Sequence, residues 1–114
     1  MSLIYHMAHQ ADWDAAKASG VYRGSADDLR DGFIHFSRGS LIAESAAKHR
    51  AGQTGLLLIC CDAAGLGEAL KWETSRNGIE FPHLYRALNP AEALSAVPLP
   101  LDDAGLHIFP NEMP

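Results

Sequence analysis

The sequence has no excess of basic residues: nine Lys and Arg stand against fourteen Asp and Glu, a net charge of -5. Without a basic surface there is little to release counterions from a phosphate backbone, which argues against a nucleic-acid partner and equally against an anionic membrane. Long apolar runs are absent too. The longest, Gly55 to Cys61, falls far short of the about 20 residues that a membrane-spanning helix needs. The opening MSLIYHMAHQAD has no basic stretch leading into an apolar one, so no secretory signal is expected. Cysteine is limited to Cys60 and Cys61. As strand neighbours they point to opposite faces and are not expected to bond each other. Two buried thiols fit a reducing cytoplasm, the expected location. No repeat, low-complexity tract or Gly/Ser/Pro-rich linker divides the chain, so residues 1–114 are expected to form a single domain.

What is present is a globular balance, 47% apolar and 20% charged, arranged as short strands and helices. LIYHM (3–7) reads as a strand. Residues 10–19 read as a helix with Trp13 and Ala16 inward and Gly20 as its stop. YRGSADDLRD (22–31) reads as a loop or one helical turn, which Ser25 can cap ahead of Asp27 and Asp28. GFIHFS (32–37) is a second strand. Ser40 to His49 is a second helix with Ile42, Ala46 and His49 on one stripe, closed by Gly52. LLLICCD (56–62) is a continuous apolar strand, expected to be central and covered on both faces. LKWET (70–74), the turn SRNG (75–78) and EFPHLY (80–85) make a hairpin. Pro82 argues against a central position for its strand. The tail holds two extended pieces around DDAG. Together these predict an α+β fold, a mainly antiparallel curved sheet of about five or six strands with two helices, open to division into two halves around a cleft.

Period-two alternation sorts the polar groups onto faces. Phe33, His35 and Ser37 share one face of their strand; Lys71 and Glu73 share another; Phe81, His83 and Tyr85 share a third; Ile4 goes with His6. Each of these residues also has a structural explanation. Strand histidines often satisfy backbone groups, Glu73 could pair with Arg76 or Lys71, and Tyr85 could be a core ring. His9, His49 and His107 fall at loop, helix-end and tail positions and read as solvated. If the faces converge, His35, Ser37, Glu73, His83 and Tyr85 line one concave surface, the usual form of a small-molecule site.

Three chemistries could use such a set. His35, His83 and Glu73 could serve as a divalent-metal triad, although no HxH or HxxxH pair supports it. Ser37 with a histidine base could act in acyl transfer, although no GxSxG is present. Alternatively, Glu73 could stabilise positive charge on a ribose while His35, Ser37 and Tyr85 hold the sugar and a base-like ring. A non-catalytic small-ligand or protein-interaction module is a further possibility, with the same polar residues only stabilising the sheet.

The succession IYH, WDAAKASGVY, GFIHFS, LKWETSRNG and FPHLYRAL resembles the domain of unknown function 952 family of small bacterial proteins, over about Leu3 to Leu88. That family is itself distantly similar to ADP-ribosyltransferase-like proteins, including the RNA 2'-phosphotransferases. The resemblance implies an ADP-ribosyltransferase-like fold and a nucleotide-like ligand, NAD or an ADP-ribosyl compound, as substrate. It implies Glu73 and His35 as catalytic residues, Glu73 being preferred over Glu80, which lies on the face opposite Phe81 and His83. Ser37, His83, Tyr85, His6 and Arg76 become ligand contacts, with His6 orienting the ribose and Arg38, Arg76 and Arg86 as candidates for phosphate. No resident cofactor or metal is implied.

Overall fold

The computed structural model describes residues 2–75 and 77–110. The chain builds two antiparallel sheets. The first has the order β3-β1-β4-β7, from Ser37–Arg38, Leu3–His9, Leu56–Asp62 and Ser95–Pro98; the second has the order β2-β6-β5, from Ile34–His35, Glu80–Leu84 and Leu70–Thr74. Three α-helices, α1 (Gln10–Ser19), α2 (Ala26–Asp31) and α3 (Gly39–His49), and two 3-10 segments, Ala63–Ala69 and Pro90–Glu92, connect them. The α+β class and the antiparallel pairing agree with the sequence reading. Among the described residues seven strands form two sheets in place of one sheet of five or six, the division into halves that the sequence reading left open.

β4 is the anchor. Leu56 to Cys61 are all buried because both faces are covered. Leu57, Ile59 and Cys61 join Ile4, Ala8, Trp13, Ile34, Phe36 and Leu84 in one core, and Leu56, Leu58 and Cys60 join Tyr5, Ile42 and Leu99 in the other. Each such buried aliphatic side chain contributes roughly 1.5–3 kcal/mol. The two adjacent cysteines therefore sit in different cores, free of a disulfide. α1 runs over the expected residues with Trp13 and Ala16 inward, and Gly20 ends it at φ 82, where its N–H reaches the Ala16 carbonyl. α3 starts one residue before Ser40, with Arg38 at its N-cap, and closes at Arg50 rather than Gly52. His49 is exposed rather than part of the inward stripe.

Two corrections position the site. GFIHFS is not one strand. β2 ends at His35, Phe36 is buried between the sheets, and β3 pairs Ser37 with Tyr5 in the other sheet. Pro82, moreover, lies in β6, the middle strand of the second sheet. Phe36 N–H donates to the Pro82 carbonyl at 3.0 Å. A hydrogen-bonded antiparallel pair would return a bond from residue 82, which proline cannot donate. The ladder thus stops where β2 leaves for the first sheet, and Pro82 is tolerated because no longer partner strand is there to need its N–H. The tail carries a third difference. His107 is buried, with Nε2 2.8 Å from the Gln53 carbonyl, whereas its position had suggested solvent.

Candidate functional site

The hairpin brings the first group together. β5 and β6 pair Glu73 with Phe81 and Lys71 with His83, so these four side chains share one face. On the diagonal, His83 Nδ1 lies 2.8 Å from Glu73 Oε1, and the Tyr85 hydroxyl donates to the same oxygen. An ionised carboxylate only accepts, so Nδ1 carries the proton of His83. The Tyr85 hydroxyl, and then the His83 ring, hold the Glu73 carboxyl below its ordinary pKa, while Glu73 pushes the Tyr85 phenol up. Glu80, whose Cα pairs with Thr74, takes no part in this cluster.

β2 adds the second group. His35 pairs with His83 in the ladder, and their ring centroids are 5.4 Å apart at 64°. Phe33 stacks on His83 at 4.1 Å and lies 4.5 Å from His35 and 5.1 Å from Tyr85. His35 is fixed from below by Asp28, whose Oδ1 lies 2.5 Å from His35 Nδ1 and 3.1 Å from the His35 backbone nitrogen. On its other edge His35 Nε2 lies 3.3 Å from Asp31 Oδ2. Asp28 is buried, and its second oxygen accepts from the Ser25 N–H at 2.7 Å, the backward-reaching half of a capping box. Burial alone would raise the Asp28 pKa. The His35 ring, nearby His6 and the N–H groups of Ser25 and His35 outweigh it and hold the carboxyl below its usual value.

His6 completes the interior of the network. It is 3% exposed. Its Nδ1 lies 2.7 Å from the His35 carbonyl oxygen and its Nε2 2.6 Å from the Tyr22 hydroxyl. A carbonyl only accepts, so Nδ1–H donates and Nε2 accepts from Tyr22, the pattern of a neutral ring. Burial lowers its pKa, in keeping with that pattern. His6 thus braces the backbone of β2 through Nδ1 and is itself held by Tyr22 through Nε2.

A cavity of about 390 Å³ opens where the chain crosses between the sheets, bounded by α2, α3 and β6. That volume suits a ligand of nucleoside size. Of the residues expected in one concavity, His35, Ser37 and His83 border it, as does His6. Ser37 Oγ lies 3.3 Å from Ser45 Oγ. Glu73 is tied to the cavity through His83, and Tyr85 borders a smaller hollow of about 230 Å³ on the other side of Phe33. Arg76 lies outside the described residues. The other two candidate arginines are engaged: Arg38 lies 4.7 Å over the Trp72 ring, and Arg86 makes two bonds to Glu92. Among the described residues no group of three or more His, Cys, Asp and Glu is arranged to hold a metal ion, and no helix is long and apolar enough to cross a membrane.

Asp28, Asp31 and Tyr22 are the site residues that sequence reasoning missed. The signal for Asp28 was the spacing of Ser25 and Asp28, which marked a helix start; that the capping carboxylate also holds His35 depends on how α2 folds back on β2.

Comparison with known proteins gives the following. A family model described as "Protein of unknown function (DUF952)" matches residues 7–96. The crystal structure of protein CC0527 from Caulobacter crescentus is 50% identical, with a TM-score of 0.90 and 94% of each chain covered. The solution NMR structure of CC0527 is 52% identical, with a TM-score of 0.82, covering 93% of this chain and 91% of that one. No curated protein matches.

Proposed function

The chain belongs to the DUF952 family of proteins of unknown function, and we propose that it binds and turns over a nucleotide-like ligand, NAD or an ADP-ribosyl compound, in the cavity between α2, α3 and β6. The observation that carries this reading is the Glu73–His83 pair, whose imidazole borders the cavity. The Glu73 carboxylate is kept ionised by Tyr85 and His83, on the sheet face that also presents His35. Cleavage of a ribosyl–nitrogen bond develops positive charge on the sugar, and a fixed carboxylate with an attached imidazole lowers the energy of that state. His35, held by Asp28, and Ser37 supply polar contacts for sugar hydroxyls, while Phe81 and Phe36 give the cavity its apolar wall. The resemblance read in the sequence, a histidine-bearing first strand before a helix ending in Gly and then an IH-type strand, points to the same ligand class.

The test is thermal unfolding in the presence of ADP-ribose and NAD. At about 100 times its dissociation constant a ligand adds about 2.7 kcal/mol, a rise on the order of 10 °C for a chain of this size. ADP-ribose binding with no turnover of NAD would favour the non-catalytic ligand module. No shift with either compound would refute the reading.

A further inference from the structure

We propose that His83 is the catalytic base of the cavity, taking the proton from the hydroxyl or water that attacks the ribosyl carbon, and that Glu73 acts through it. The inference rests on the reading above and assigns a role that the carboxylate alone had been given. Four histidine rings border the cavity, His6, His35, His49 and His83, and their bonding separates them. His6 spends both nitrogens on the His35 carbonyl and Tyr22. His35 has Asp28 at Nδ1 and Asp31 3.3 Å from Nε2, so carboxylates face both of its edges. His49 is exposed at the end of α3, with no hydrogen bond to its ring among the described residues. Only His83 combines an orienting carboxylate at one nitrogen with a second nitrogen that has no partner among the described residues.

The rest of the geometry follows from that bond. With Nδ1–H given to Glu73, the neutral ring carries its lone pair on Nε2. His83 borders the cavity and Glu73 is not among its lining residues, so the imidazole rather than the carboxylate is the group within reach of a ligand there. Phe33, stacked at 4.1 Å and 28°, fixes the plane of the imidazole. This is the arrangement of a base held in one tautomer by a third group. In the step itself, Nε2 takes the proton of the attacking O–H, and the oxygen's electron pair forms the new bond to the ribosyl carbon. The carbon–nitrogen bond to nicotinamide breaks, and its pair passes to the ring nitrogen, which loses its positive charge. NAD and a hydroxyl compound thus give free nicotinamide, an O-ADP-ribosylated product and one proton, held on His83 opposite Glu73 until it is released to solvent.

The experiment measures nicotinamide release from NAD by the full chain and by His83→Gln and Glu73→Gln, with ADP-ribose affinity measured on each. It also maps which histidines diethyl pyrocarbonate acylates. His83→Gln should lower kcat by roughly 10²–10⁴, a far larger effect than its loss of ADP-ribose affinity as a cavity-lining residue. Glu73→Gln keeps an oxygen for Nδ1–H and should retain measurable turnover above His83→Gln. In the free protein His83 should be acylated and His6 spared, and ADP-ribose should protect His83. Turnover by His83→Gln near that of the unaltered protein would overturn the assignment and leave the ligand reading standing. So would ADP-ribose binding without any nicotinamide release, or a His83 inert to the reagent. Failure to bind ADP-ribose would remove the ligand reading, and this assignment with it.

Discussion

Asp28 and His35 are joined twice: one carboxylate oxygen lies 2.5 Å from the ring Nδ1 and 3.1 Å from the backbone nitrogen of the same histidine. A single buried side chain therefore holds both the backbone at the end of β2 and the ring of His35. The other oxygen caps α2 at Ser25, so helix, strand and site share one acceptor.

Replacing Asp28 by Ala should destabilise the protein by about 3 kcal/mol. It leaves the Ser25 and His35 N–H groups buried without their acceptor, each costing about 1–3 kcal/mol. Asp28→Asn, which keeps one carbonyl oxygen, should cost less. Urea unfolding of the two variants checks the order, and an Asp28→Ala variant as stable as the unaltered protein would contradict the account.

Gly24 guards the same carboxylate. It sits at φ 99, and a methyl group there would stand 2.5 Å from both Cβ and Oδ2 of Asp28. Gly24→Ala combines a left-handed backbone with an overlap against a side chain that cannot swing away without releasing His35. A loss of about 2 kcal/mol is expected, accompanied by a shift of the His35 ring resonances in NMR. Gly32→Ala, where an added methyl meets nothing within 4 Å, should leave those resonances in place.

How much of this was legible in the sequence depends on the range of the interaction. Alternation correctly grouped Lys71 with Glu73 and Phe81 with His83, because the pleat decides it locally, and the hairpin register then joins the two groups on one face. The apolar run of β4 announced its burial for the same reason. The break at Phe36 was not legible: six residues that alternate well enough for one strand are shared between two sheets, and the partners that divide them, Pro82 and Tyr5, are remote in the chain. Ser25 was read as the cap of the turn that holds Asp28; that Asp28 reaches back to the Ser25 N–H and also holds His35 appears only once α2 packs against β2. His107 misled because tail positions are usually solvated, and its partner, Gln53, lies in the loop after α3.

Acid should weaken the fold in two stages. His6 has its pKa lowered from 6.5, chiefly by burial. Folded protein thus binds fewer protons there than unfolded, and the stabilisation is full above about 6.5 and lost as pH falls below it. Asp28 is held below 3.8 despite burial, so its stabilisation is present above that value and lost as pH falls through the lower folded pKa. The urea midpoint should be level between about pH 7 and 8, fall from about pH 6.5 downward, and fall again below about pH 4. His6→Gln should remove the first decline and leave the second. A midpoint that rises on acidification would contradict both assignments.

The two thiols should be inert in the folded chain. Burial raises both pKa values, that of Cys61 to about 12, and thiolate is the reactive form. Mass spectrometry after iodoacetamide treatment at pH 8 should find neither cysteine alkylated in buffer and both alkylated in denaturing urea. Rapid alkylation of Cys61 in buffer would show that its core is open.

The central claim is that the cavity beside His35 and His83 receives a nucleotide-like ligand. The most direct measurement is a titration of isotopically labelled protein with ADP-ribose, followed by NMR. The account predicts saturable shifts at Asp28, His35, Ser37, Ser45, Phe81 and His83, with Val97 in β7, at the other edge of the first sheet, and Leu99 just after it unmoved. An absence of shifts at millimolar ADP-ribose, or shifts confined to residues away from α2, α3 and β6, would contradict it.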